Sequence, residues 1–119
     1  MIATNPSTGD VRCSTRTTTG TVVTVPAGRV LCADIFIAAS VSVAGTATPR
    51  VSVSGGGTGV EPAASTIVHQ LSMTGLALTT VAQSGMIEIV CRAGDADMTL
   101  DFNTGGASSA SVTINGFLL

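Results

Sequence analysis

The stretch Val30-Leu31-Cys32-Ala33-Asp34-Ile35-Phe36-Ile37-Ala38-Ala39-Ser40-Val41-Ser42-Val43 decides how the chain is read. Ile35, Ile37, Ala39, Val41 and Val43 share one parity, and Asp34, Phe36, Ala38, Ser40 and Ser42 share the other. A period of two is that of a β-strand, whose successive side chains point to opposite faces. The Ile/Val set is therefore expected inward, along one long strand or two strands joined by a bend.

The same period recurs on both sides of this stretch. Upstream, the β-branched run Thr21-Val22-Val23-Thr24-Val25 stops at a Pro26-Ala27-Gly28 turn. Downstream, Arg50–Ser54 alternates cleanly, and Ile67–Met73 is expected as a strand with Ile67, His69, Leu71 and Met73 on one face. Met86–Cys91, Met98–Asn103 and Ser111–Leu119 alternate as well, while Gly45–Pro49, Ala93–Asp97 and Gly105–Ser109 read as turns. Residues 1–20 are polar and show no apolar period, apart from a short strand expected near Val11–Thr15. They are expected to form an extended N-terminal arm that lies on a neighbouring subunit or frays. The expectation is an all-β, antiparallel β-sandwich over residues 21–119. A jelly roll of about eight strands is preferred, with an immunoglobulin-like sandwich second because the chain has no Trp.

Composition narrows the function. Of the 119 residues 45% are apolar, but only 10% are charged, against roughly 25% in an ordinary soluble domain. Thr and Ser supply the polar surface. A surface this poor in charge has little electrostatic protection against self-association, which suits a subunit that buries much of itself against neighbours. The net charge is −2, and the five basic residues (Arg12, Arg16, Arg29, Arg50, Arg92) are scattered, which argues against nucleic acid as a ligand. No run of about 20 apolar residues is present to span a bilayer. No basic segment followed by an apolar run opens the sequence, so synthesis in a cytosol is expected. Cys13, Cys32 and Cys91 form no CxxC pair and are expected as reduced thiols rather than metal ligands.

Candidate chemistry is thin. His69 is the only histidine, and it sits among apolar residues of its strand. A packed histidine is expected, with a place on a threefold axis as a further role that would tune assembly with pH. Asp95, Asp97 and Asp101 are close in sequence and form a weak calcium candidate, but their spacing does not match an EF-hand. Paired carboxylates for glycoside cleavage would need aromatic sugar platforms, and the chain has three Phe, no Trp and no Tyr. The glycine-rich run Gly55–Gly59 lacks the lysine of a phosphate loop and reads as a flexible loop. No catalysis, cofactor or small-molecule substrate is expected. In the last strand Val112, Ile114 and Leu118 take one parity, while Phe117 and Leu119 take the other and face outward unless Gly116 kinks the strand. With the arm, they make Ile2, Val11, Arg12, Arg16, Phe117 and Leu119 the expected interface residues.

The run Thr21-Val22-Val23-Thr24-Val25-Pro26-Ala27-Gly28 and the closing Ser111-Val112-Thr113-Ile114-Asn115-Gly116-Phe117-Leu118-Leu119 bracket the alternating strands. In these features the chain resembles small bacteriophage head decoration, or cement, proteins of the jelly-roll type. The likeness is one of style over most of residues 20–119. It implies a structural virion protein on the capsid surface, made in the host cytoplasm. Homotrimers of such a subunit would bridge major capsid proteins and hold the shell. Two other classes share the fold: a carbohydrate- or receptor-binding module of a phage fibre, with Phe36 as its one candidate aromatic, and an exported pilus-type subunit.

Overall fold

The computed structural model describes residues 11–76 and 79–119. Eleven strands run through them: β1 (Val11–Arg16), β2 (Gly20–Val25), β3 (Val30–Val41), β4 (Gly45–Ala47), β5 (Arg50–Gly55), β6 (Ile67–Gln70), β7 (Met73–Gly75), β8 (Thr80–Gln83), β9 (Ile87–Arg92), β10 (Met98–Asn103) and β11 (Ser109–Leu118). The chain is an all-β sandwich, and its paired strands are antiparallel. One sheet has the order β1-β11-β3-β8, with β9 also on β3; the other has the order β2-β10-β5-β6; β4 and β7 make a small ribbon.

β3 is the spine of the first sheet. Its side chains alternate between half-buried and buried along all 12 residues, as its period-two sequence demands. β11 lies along it in unbroken register from Ser109↔Ser40 to Leu118↔Leu31. On its other flank β9 pairs Val30–Ile35 and β8 pairs Ala38–Val41, so the two share one lane. Three steps along β3, from Ile35 to Ala38, face four steps from Gln83 to Ile87. The extra residue makes a bulge. Ser84 mends the ladder there: the Ile37 N–H donates to its Oγ at 2.9 Å, and its own N–H donates to the Ile37 carbonyl at 2.8 Å. Val43 lies beyond the end of β3 and is 64% exposed. The inward set expected from the sequence therefore stops at Val41.

The two sheets close over one apolar cluster. Leu31, Ile35 and Ile37 of β3 and Val112 and Ile114 of β11 are fully buried, as are Val25, Val51, Val53, Leu100 and Phe102 of the other sheet. Burying each such side chain stabilises the fold by about 1.5–3 kcal/mol. Among the described residues this interior holds no buried polar or charged residue.

Several local expectations change. The ladder of β5 and β6 shifts register after Val51↔His69, so that Ser52 faces Ile67. Val68 is the extra residue, and it turns Ile67 outward (48% exposed) while His69 stays inward opposite buried Val51. Ile67 and His69 thus do not share a face, and the strand ends at Gln70 before β7 begins at Met73. Gly45–Ala47, read as part of a turn, is β4 and pairs with β7. Of the expected arm, residues 1–10 lie outside the described residues. Val11–Arg16 is β1, paired along its whole length with β11. The Gly55–Gly59 run is not a loose loop. Its backbone is strapped to the Gly94–Asp97 turn by Gly56 N–H to Asp97 O, Gly94 N–H to Gly56 O and Asp95 N–H to Thr58 O, at 2.9–3.1 Å. Gly55, Gly56, Gly57 and Gly59 all hold positive φ there, which only glycine adopts without strain.

Candidate interaction surface

The registers of β1, β11, β3 and β9 set three rows of side chains across the outward face of the first sheet. The middle row runs Val90–Cys32–Phe117, and Phe117 lies opposite Val11 of β1. One row to one side are Glu88, Asp34, Asn115 and Cys13. One row to the other side are Arg92, Val30 and Leu119; backbone bonds of 2.7 and 3.3 Å hold Leu119 to Val30. An open depression of about 560 Å³ lies over this region and is lined by residues of the first two rows, among them Cys32, Asp34, Glu88, Val90 and Phe117.

This face combines two features that a solvated surface avoids. Its middle row is apolar and open: Val90 is 66% exposed and Phe117 40%, with Leu119 at 65% in the next row. Beside it, Asp34 and Glu88 are direct cross-strand partners, and like charges directly opposite one another destabilise a sheet. Apolar exposure is normal when scattered, but contiguous apolar area marks interaction sites.

The expected interface residues divide. Phe117 and Leu119 do point outward, because β11 holds its register straight through Gly116 without a bulge. A Cβ on Gly116 would run into the Cys32 carbonyl and Ala33, so this glycine serves close approach to β3. Ile2 lies outside the described residues, and Val11 is placed only by its pairing with Phe117. Arg12 is half-buried on β1 and does not point outward with Cys13. Arg16 is spent inside the fold: its guanidinium donates to the carbonyls of Thr18, Thr19 and Thr21 at 2.8–3.2 Å and shapes the turn into β2.

His69 is half-buried on β6, opposite Val51. Its Nε2 is buried and has no hydrogen-bond partner among the described residues. Burial pushes its pKa below the ordinary 6.5, opposed in part by a hydrogen bond to the Gly85 backbone. The ring sits at the seam where β6 meets the β8–β9 lane rather than on an outward face. Asp95, Asp97 and Asp101 do not converge. Asp95 Oδ1 accepts from the Thr58 N–H at 2.8 Å, and Asp97 Oδ1 accepts from the Ala27 N–H at 2.9 Å. Asp101 accepts from the hydroxyls of Thr21, Ser54 and Thr99 at 2.8–3.2 Å. Among the described residues no three of His, Cys, Asp and Glu are grouped to hold a metal ion. All three cysteines are free thiols. Burial, with the charge of Cys32 second, raises the Cys91 pKa to about 11, which keeps that thiol protonated and unreactive at neutral pH.

Sequence reasoning did not assemble Asp34, Cys32, Glu88, Val90 and Arg92 into a site. The parity of Glu88, Val90 and Arg92 was visible in the sequence, but only the cross-strand register places them beside Cys32 and Phe117. No family model, curated protein or solved structure matches this chain.

Proposed function

We propose that the chain is a structural subunit of a virion surface, a capsid decoration protein that binds the outside of a phage head and bridges its major capsid proteins. The observation that carries this reading is the outward face of the first sheet, with Val90, Phe117 and Leu119 left open beside two adjacent carboxylates. Such a face suits a subunit completed by protein neighbours. The strand order adds support. β1, β11, β3 and the β8–β9 lane make one sheet and β2, β10, β5 and β6 the other, so early strands pair with late ones, and the chain passes between the sheets from β1 to β2, β2 to β3, β9 to β10 and β10 to β11. That wrapping is what a jelly roll of two Greek keys produces, a common architecture of viral surface subunits.

The test is quantitative mass spectrometry with antibody labelling of purified particles of the virus that encodes the chain. The expected result is a fixed ratio to the major capsid protein and label over the whole head. Absence from particles overturns the reading. Label confined to a fibre tip replaces it with a receptor- or carbohydrate-binding role.

A further inference from the structure

We infer that this outward face pairs with the same face of a second copy about a twofold axis lying along the Val90–Cys32–Phe117 row. The inference does not depend on a viral role. Glu88, Val90 and Arg92 project outward at successive alternate positions of β9. A twofold axis perpendicular to the strands and through Val90 reverses the strand direction in the second copy. Glu88 then faces Arg92 of the second copy, and Arg92 faces Glu88 of the second copy. The same operation sets Asp34 opposite Val30 and Asn115 opposite Leu119 of the second copy, with the Glu88–Arg92 pairs one lane away. Arg29 stands at that same end, its Nε donating to the Leu119 carbonyl at 2.8 Å.

Both charges have reason to seek a partner outside the chain. Among the described residues Glu88 makes no ion pair, and it faces the like charge of Asp34 across the ladder. Arg92 is exposed and makes no ion pair among the described residues, although Glu61 is bonded to its backbone at 2.7 and 2.9 Å. That same backbone bridge covers the open edge of β9 at Arg92. Edge-to-edge extension of the sheet centred on Val90 would need those backbone groups, so the geometry favours face-to-face contact. An isologous contact of this kind is self-complementary and closes at two copies. The sequence reading favoured three copies; this face arranges two.

The extent of the contact sets its strength. Arg92, Val30 and Leu119 stand two residues beyond the axis row, so β9, β3 and β11 give three lanes about 4.8 Å apart with about five residues of overlap at about 3.3 Å each, on the order of 250 Å² per copy. The total of about 500 Å² is below what a stable, specific interface buries. The dimer is therefore weak, reversible and sensitive to salt, because part of its selectivity is charge pairing at a rim.

The experiment is sedimentation equilibrium of the full chain and of three variants, Glu88→Arg, Arg92→Glu and the double reversal Glu88→Arg/Arg92→Glu, with circular dichroism to establish folding. The wild type is expected to pass from the 11.7 kDa chain to twice that mass as concentration rises. Each single reversal weakens the dimer on the order of tenfold by placing like charges together, and the double reversal restores it to within about threefold. A wild type that stays monomeric to millimolar concentration overturns the inference. So does a trimer, or a double reversal that folds without recovering association. Should either single reversal fail to fold, Glu88→Gln and Arg92→Gln replace the pair. Each is then expected to weaken the dimer about threefold, and no change in either overturns the inference. None of these outcomes bears on whether the chain is found on virions.

Discussion

The outward faces of the two sheets are built from the same strand-forming residues and reach opposite conditions. On the second sheet, β2, β10 and β5 turn Thr21, Thr24, Thr99, Asp101, Ser52 and Ser54 to the outside. Four of these satisfy one another: Thr21, Ser54 and Thr99 converge on the Asp101 carboxylate, and the Ser54 and Thr99 hydroxyls bond at 2.7 Å. That face is finished within one chain. On the first sheet the corresponding rows carry Val90, Cys32 and Phe117 beside an unrelieved Asp34–Glu88 pair. Each strand has one side fixed by the shared core, so selection can write the other side freely. Here one face is satisfied by its own hydroxyls and carboxylate, and the other leaves apolar side chains open beside two carboxylates.

The largest effect expected sets the interior against the open face. Phe102 is 1% exposed at the centre of the core, and Phe102→Ala should cost about 3–5 kcal/mol in urea unfolding. Phe117→Ala, measured on dilute protein, should cost about 1 kcal/mol or less, because much of that ring is already in water. Equal costs would mean that Phe117 belongs to the core and that the first sheet has no open face.

A smaller effect compares the two faces through their carboxylates. Asp101→Ala strands three hydroxyls that now share one acceptor, and should destabilise by about 1–2 kcal/mol. Asp34→Ala removes half of a like-charge pair that has no local counter-ion on its row, and should change stability by no more than about 0.5 kcal/mol in either direction. If Asp34→Ala proves the more damaging, the acidic pair holds the fold together and is not kept for a partner.

How far the sequence shows all this depends on which physical rule acts at each place. Alternation in Val30–Val41 is enforced by a core on one side only, so the parity of Ile35 and Ile37 could be read directly. The outward direction of Phe117 could be read for the same reason. The failures fall where one residue is inserted. Nothing in Ile67-Val68-His69 announces the extra residue that separates Ile67 from His69, and nothing before Met86 announces the one that Ser84 bridges. A bulge is decided by the facing strand, and the facing strand is a tertiary fact. The same holds for the interaction surface, since Glu88 is 54 positions from its partner Asp34 in the chain. Asp95 and Asp97 show the converse: near in sequence, they cap different backbone segments, because a turn sends successive side chains in different directions.

The smallest effect concerns the seam where the two sheets close, and it turns on His69. Its imidazole is held neutral by burial, with the folded pKa below the unfolded value of 6.5. Between those two values the unfolded chain binds a proton that the folded chain refuses, so the unfolded state carries more protons and stability rises with pH there. Stability should therefore be constant in this respect above about pH 6.5 and decline as the pH falls from 6.5 toward the lowered folded pKa. His69→Gln removes the titration while keeping a side chain able to hydrogen-bond toward Gly85. Urea midpoints at successive pH values from 7.5 to 5.5 should fall for the wild type and stay level for the variant. The carboxylates titrate alike in both proteins and cancel in the difference. Parallel curves would show that His69 protonates freely in the fold, and hence that water reaches the seam between β6 and the β8–β9 lane. The second sheet would then be open along one margin, and the distinction between a finished face and an open one would hold only away from that margin.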